Sequence, residues 1–195
     1  MLNYKTKQVL ISKGNEKAFR ELMYSTSDDL FLFAMGFIRN KELAEEIVSD
    51  VYVKIWNKRA DIVKINNLKS YLFISVKNAC LSNLRKMKNE KFISIDEFND
   101  FHFLPVEGPD NDLINKEVIE QIYAAIEALP PKCKLAFSLA KVNGLRYREI
   151  AEVMNISEKT VNNHLVYAMK KISENLGINR NRSNKISKQK EASMV

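Results

Sequence analysis

A chain of 195 residues, 46% of them hydrophobic, is long enough for two small cores and too apolar to remain disordered. Only five glycines and four prolines stand against abundant Leu, Ile, Lys, Glu, Asn and Ala, which excludes a turn-rich sheet fold and predicts an all-α protein. A net charge of +7 draws polyanions such as nucleic acid, anionic membrane or an acidic protein, while Cys80 and Cys133 lack the spacing of a metal knuckle or a disulfide framework.

The start of the chain, Met1-Leu2-Asn3-Tyr4-Lys5, has no apolar signal-peptide core, and no uninterrupted membrane-length apolar run occurs, so a soluble cytoplasmic protein is expected. From Asn15 to about Ile38 the apolar residues Ala18, Phe19, Leu22, Met23, Leu30, Phe31, Ala34, Phe37 and Ile38 recur at the helical period, interrupted at Ser25 to Asp29, which predicts two helices. Asn40 is a candidate N-cap for a helix from Lys41 to about Lys58, with Glu42, Glu45 and Glu46 near its positive end and Leu43, Ile47, Val48, Val51, Tyr52 and Ile55 turned inward. Another amphipathic stretch spans Leu68 to Met87. Its core positions are Leu72, Val76, Ala79, Cys80, Leu81 and Leu84, and Lys69, Lys77, Arg85, Lys86 and Lys88 give it a basic outer side.

A first helical domain therefore spans residues 1–91. Residues 92–111 lose the period and carry Asp96, Glu97, Asp100, Glu107 and Asp110 with Pro105, Gly108 and Pro109, the composition of an extended acidic linker between domains. A second domain, 112–177, begins with a helix capped by Asp110 or Asp112 and lined by Ile114, Val118, Ile122, Ala125, Ile126 and Leu129. Pro130-Pro131 ends it and opens a short helix, Lys132 to Val142, which Asn143-Gly144 stops. Residues 178–195 are rich in Asn, Lys, Arg and Ser and read as a basic, disordered tail.

Between Leu129 and Leu176 lies the pattern of a helix-turn-helix. A short helix, Tyr147 to Met154, is followed by a left-handed turn at Asn155, an N-cap at Ser157 and a longer helix from Glu158 that buries Val161, Leu165, Ala168, Met169 and Ile172. Small Ala151 allows close approach of the two helices, and Ile156 and Val161 fix their crossing. The outer face of the second helix carries Lys159, Thr160, Asn162, Asn163, Val166, Lys170 and Lys171. Asn162 and Asn163 match adenine edges, Val166 a thymine methyl, and the lysines phosphates. His164 lies between the two faces, where local packing is favoured over base reading. A pair of packed helices with a solvated polar face is the plainer alternative.

Three groups of residues extend this pattern over most of the chain. Leu129-Pro-Pro-Lys-Cys-Lys, Asn143-Gly-Leu-Arg-Tyr-Arg-Glu-Ile-Ala-Glu and Ile156-Ser-Glu-Lys-Thr-Val-Asn-Asn-His-Leu resemble the C-terminal domain of extracytoplasmic-function sigma factors, a branch of the sigma-70 family. Gly14-Asn-Glu-Lys-Ala-Phe, the run from Lys41 to Trp56, and Ser70-Tyr-Leu-Phe-Ile-Ser-Val-Lys-Asn-Ala resemble that family's N-terminal domain. The resemblance implies two helical domains, the second winged-helix-like or a four-helix unit, that bind core RNA polymerase and promoter DNA without catalytic groups, cofactor or small-molecule substrate.

By the same resemblance Glu46, Ser49, Asp50, Val53 and Trp56 dock on the polymerase clamp, Ser49 standing where Gln is common. On its residues alone, Trp56 fits a core role equally well. Asn78 falls where the family reads an unpaired base of the minus-ten element, with Lys77, Arg85 and Lys86 beside the strand backbone. Tyr71 serves there or in the core, and Phe73 fits the core. The helix-turn-helix would read the minus-thirty-five element, and the acidic linker would thread a basic channel of the polymerase. An anti-sigma protein, membrane-anchored or free, is a further implied partner. The nearest rival is a helix-turn-helix activator that is not a sigma factor, but residues 1–91 lack the alternating strands of a receiver domain. An enzyme has little to work with, there being no Gly-rich phosphate loop and no triad or metal-ligand spacing.

Overall fold

Nine α-helices and one 3-10 helix, with no strand, make up the residues that the computed structural model describes: 4–88, 101–103 and 113–177. Asp96, Glu97, Asp100, the proposed caps Asp110 and Asp112, and the tail 178–195 lie outside them. The all-α expectation holds.

Helix α1 (Tyr4–Ser12) was not anticipated, because its stripe is largely polar. A buried amide pins it instead: Gln8 Nε2 donates to the carbonyls of Ile62 at 2.7 Å and Ile65 at 2.8 Å, at the end of the 3-10 helix Arg59–Lys64. Helices α2 (Glu16–Tyr24) and α3 (Ser27–Ile38) are the expected pair. Thr26 between them hydrogen-bonds the Tyr52 hydroxyl at 2.7 Å, and burial pushes the Tyr52 phenol up to about 12. Helix α4 (Lys41–Asn57) starts at the expected cap, where Asn40 Oδ1 accepts from Leu43 N at 2.8 Å. Helix α5 (Leu68–Lys88) completes the group. Helix α3 packs on both α4 and α5, so Leu30, Phe33 and Phe37 meet Leu72, Phe73 and Val76 in the main core, all of them buried. Phe73 is thus a core residue, with its ring 5.0 Å from that of Phe33.

The second group consists of α6 (Leu113–Glu127), α7 (Pro131–Lys141), α8 (Tyr147–Met154) and α9 (Glu158–Asn175). Among the described residues it is a four-helix unit without strands that could form a wing. Helix α9 packs against α6, α7 and α8, burying Val161, Leu165, Ala168 and Ile172. Two expected core residues are corrected. Met169 is 47% exposed and Val118 is 52% exposed, because each helix offers its neighbours only a narrow stripe and both residues fall just outside it. Gly144 alone takes the left-handed turn after α7, with φ +59°. Asn143, expected to share it, is buried and donates from Nδ2 to the Asp29 carbonyl at 3.1 Å.

That bond crosses from one group to the other, and it has company. Helix α5 lies on α8, with Lys77 Nζ donating to the Val153 carbonyl at 2.7 Å and Lys69 Nζ to the Asn143 carbonyl at 2.9 Å. Asn67 Nδ2 donates to Glu149 at 3.3 Å. Lys77 and Lys69 are therefore not on a free basic face, as their helical period had suggested. Lys77 is 7% exposed, and burial depresses its pKa below the usual lysine range. The short described piece of the linker is packed too: Phe101 is only 3% exposed and sits against Phe33 and Phe37. An acidic, aperiodic stretch hid this, although Phe98, Phe101 and Phe103 within six residues were the available signal.

Candidate nucleic-acid interface

The turn between α8 and α9 is built as its residues require. Asn155 takes a left-handed φ of 56°, its backbone N–H closing on the Ala151 carbonyl. Ser157 Oγ then accepts from Thr160 N at 3.0 Å, capping α9. At the other end of α8, the Glu149 carboxylate accepts from Arg146 N at 2.8 Å. Ala151, Val153 and Met154 are buried against the fully buried Ile150 and Val161, so the crossing of the two helices is set by apolar contact. Asn155→Ala is expected to cost about 1 kcal/mol, because alanine lacks the short polar side chain whose local hydrogen bonding lets asparagine tolerate the left-handed turn, whereas Asn155→Gly, free of the Cβ strain, should be about as stable as the parent. Thermal unfolding followed by circular dichroism distinguishes the two.

On α9 the outer face is open. Lys159, Asn162, Asn163, Val166 and Lys170 are exposed, Val166 at 60%, while Thr160 and Lys171 are half-buried. Thr160 shares its hydroxyl with Ser157 at 2.8 Å, and Lys171 pairs with Glu174 at 2.9 Å. Those two side chains have local partners, and Lys170 lies 3.9 Å from the same Glu174. His164 is half-buried, with Nδ1 3.4 Å from Cys133 Sγ, and burial followed by the charge of Lys132 lowers its pKa. It packs between helices, as its position on the face suggested. Both cysteines are buried free thiols, raised in pKa by burial, Cys80 to about 12.

A second surface lies on the first group of helices. Asn78 and Lys86 are exposed on α5 and Arg85 is half-buried. Asn78 opens into a cleft of ≈ 310 Å³ between α4 and α5, lined also by Val51, Lys54, Ile55, Lys58, Tyr71, Ser75 and Ala79. Tyr71, 40% exposed, forms part of its wall rather than of the core. The family resemblance pointed to Asn78, but Lys54 of α4 and Lys58, the residue that caps it, come from another segment and were not legible with it.

Further along α4, Glu46, Ser49, Asp50 and Val53 form one exposed strip, Val53 at 57%. Trp56 follows, half-buried, with its ring 4.9 Å from Phe19 and the Arg59 guanidinium 4.8 Å over its face. It lines an open, mostly apolar groove with Phe19, Met23 and Tyr24. Trp56 is thus a groove wall, half-buried between core and surface. No helix among the described residues is long and apolar enough to cross a membrane.

Both groups of helices match known protein families. Residues 23–90 match the model of Sigma-70 region 2, and residues 119–172 match that of Sigma-70, region 4. The chain is similar to the ECF RNA polymerase sigma factor SigM of Bacillus subtilis, 26% identical over 82% of this chain and 96% of that one. It is also similar to the ECF RNA polymerase sigma-E factor of Escherichia coli, 23% identical over 86% of this chain and 92% of that one. Among solved structures it shares its fold, each at a TM-score of 0.59, with CnrH in complex with the cytosolic domain of CnrY and with the sigma factor RpoE in complex with the anti-sigma factor NepR from Bartonella quintana. CnrH is 16% identical, the match covering 90% of this chain and 97% of that one; RpoE is 23% identical, covering 84% and 99%. With both sigma-70 regions present in order and relatives aligned over most of their length, the chain belongs to the sigma-70 family, in its extracytoplasmic-function branch.

Proposed function

We propose that this sigma factor grips a promoter at two points, with α9 reading the upstream element and the cleft beside Asn78 holding an unpaired base of the downstream one. The chain binds core RNA polymerase and directs it to promoters for transcription initiation. The observation that carries the finer reading is the helix-turn-helix whose second helix leaves Lys159, Asn162, Asn163, Val166 and Lys170 exposed on one face. In the major groove the two amides suit adenine edges and Val166 a thymine methyl, with Lys170 and Lys171 on flanking phosphates. Thr160 acts from the first turn.

The downstream half rests on the cleft. An unstacked base repays its unstacking by contact with an aromatic wall and a polar edge, which Tyr71, Ser75 and Asn78 supply, while Lys54 and Lys58 supply charge for the backbone. Lys86 and Arg85 extend the basic track along α5, joined by Lys77 once α8 is moved away. For the polymerase, the strip of Glu46, Ser49, Asp50 and Val53 offers carboxylates to a basic helical partner, and the Trp56 groove an apolar anchor point. The accompanying division is residues 1–91 for polymerase and minus-ten contacts, 92–111 as acidic linker, 112–177 for the minus-thirty-five element and 178–195 as basic tail. The protein acts in the cytoplasm by binding alone, with no catalytic step. Because CnrH and RpoE were each solved with a protein partner, CnrY and NepR, an inhibitory protein of that kind is proposed here as well.

Reconstitution tests the scheme. Purified full chain and core polymerase, with no other sigma factor, should start transcription from promoter DNA selected by that holoenzyme. If transcripts appear only when a second sigma factor is added, the chain is acting as an activator and the two-point grip is wrong.

A further inference from the structure

Three residues of the linker touch both groups of helices. Phe101 inserts its ring beside Phe37, 5.1 Å between centroids, over a floor made by Gly36. His102 N donates to the Gly36 carbonyl at 2.9 Å, fixing the backbone to α3. Phe103 turns the other way, with its ring 5.9 Å from Tyr123 on α6 and 6.1 Å from Phe137 on α7, and its N–H donates to the Glu127 carboxylate. Glu127 is itself held by Lys134, 2.6 Å away and buried, with His102 Nδ1 at 3.5 Å. Consecutive residues thus grip opposite halves of the molecule.

We infer that Phe101-His102-Phe103 is an interdomain clasp that holds the free chain closed, with α8 seated on the face of α5 that carries Lys77. The inference rests on the proposed role of α5 only for its consequence, that closure hides Lys77 from a DNA strand. The clasp itself stands on contacts. Gly36 belongs to it by size: a Cβ there would fall 2.5 Å from Phe101 Cε2, 2.7 Å from Cζ and 3.0 Å from the His102 carbonyl oxygen. A glycine inside an amphipathic helix otherwise weakens it, so its place under the Phe101 ring gives it a reason.

The covered surface also carries marks of one that opens. Among the described residues its buried ammonium, Lys77, bonds one carbonyl and no carboxylate, and burial depresses its pKa. Asn143 Oδ1 is buried there without a hydrogen-bond partner among the described residues, and so is Ser70 Oγ on α5. A contact meant to be permanent satisfies such groups. Here an apolar clasp offsets a polar surface that water would solvate better.

Spin labels on the full chain at Lys41→Cys and Asn175→Cys, both exposed, report the separation of the two groups. The parent should give one narrow distance distribution. Gly36→Ala and Phe101→Ala should each broaden and lengthen it. Gly36→Ala removes no core side chain and favours the helix, so it decides the matter if Phe101→Ala unfolds. Binding of a short mixed-sequence single-stranded DNA oligonucleotide should tighten by about ten-fold or more in Gly36→Ala, as the open fraction grows. A broad parent distribution, or an unchanged one in a folded Gly36→Ala variant, overturns the clasp. Opening without any gain in DNA binding keeps the clasp and removes instead the reading of α5 as a strand-binding surface.

Discussion

Replacing Asn162 and Asn163 together with alanine should lower transcription from promoters with a matched upstream element by about 30-fold or more, from about 1–3 kcal/mol for each lost bidentate contact. Both side chains are exposed and lie on a helix whose buried stripe is Val161, Leu165, Ala168 and Ile172, so the fold loses nothing. Alanine also has the better helix propensity, and the melting temperature should hold or rise slightly. The loss should be confined to promoters whose minus-thirty-five sequence matters, and vanish on templates where that element is scrambled. Lys159→Gln or Lys170→Gln should behave differently, weakening all templates alike and reducing the salt dependence by about one unit of slope each. A double asparagine variant that loses activity equally on every template would show that α9 holds DNA without reading it.

Phe33→Ala should cost about 3–5 kcal/mol, the largest effect of any single truncation proposed for this chain. Phe33 is 1% exposed at the centre of the first group, with its ring 5.2 Å from Phe37, 5.0 Å from Phe73 and 6.4 Å from Phe101. Removing it opens a cavity among rings that cannot close in without leaving their rotamers, and takes away one wall of the Phe101 site. Thermal unfolding should fall by roughly 6–20 °C in a chain of this size. The contrast variant is Phe103→Ala, whose half-buried ring lies at the margin of the second core, 5.9 Å from Tyr123 and 6.1 Å from Phe137, and which should cost less. Equal losses for the two would mean that the linker, not the α3–α5 contact, is the centre of the core.

Legibility followed the period of the side chains. Helices α2 to α9 were readable because each has an apolar stripe and several have a cap or stop residue in place: Asn40, Pro131, Gly144, Asn155 and Ser157. Helix α1 was missed since Gln8 holds it through a polar bond to residues more than fifty positions away. The outer face of α9 was legible for the same reason as its core, since naming the buried stripe names the other side. The cleft beside Asn78 was only half legible, because α4 and the residue that follows it bring Lys54 and Lys58 to it.

By itself, then, the sequence determined a helical protein with a helix-turn-helix whose outer face carries Lys159, Thr160, Asn162, Asn163, Val166, Lys170 and Lys171, because local period and capping decide those features within a turn or two. Only the tertiary structure decided that Lys77 is buried, that Lys69 and Asn143 bind carbonyls across the molecule, and that Phe101 closes over Gly36. Those contacts join residues far apart in the chain, and a basic position on a helix faces solvent or a neighbour according to what is packed against it, which no single segment encodes.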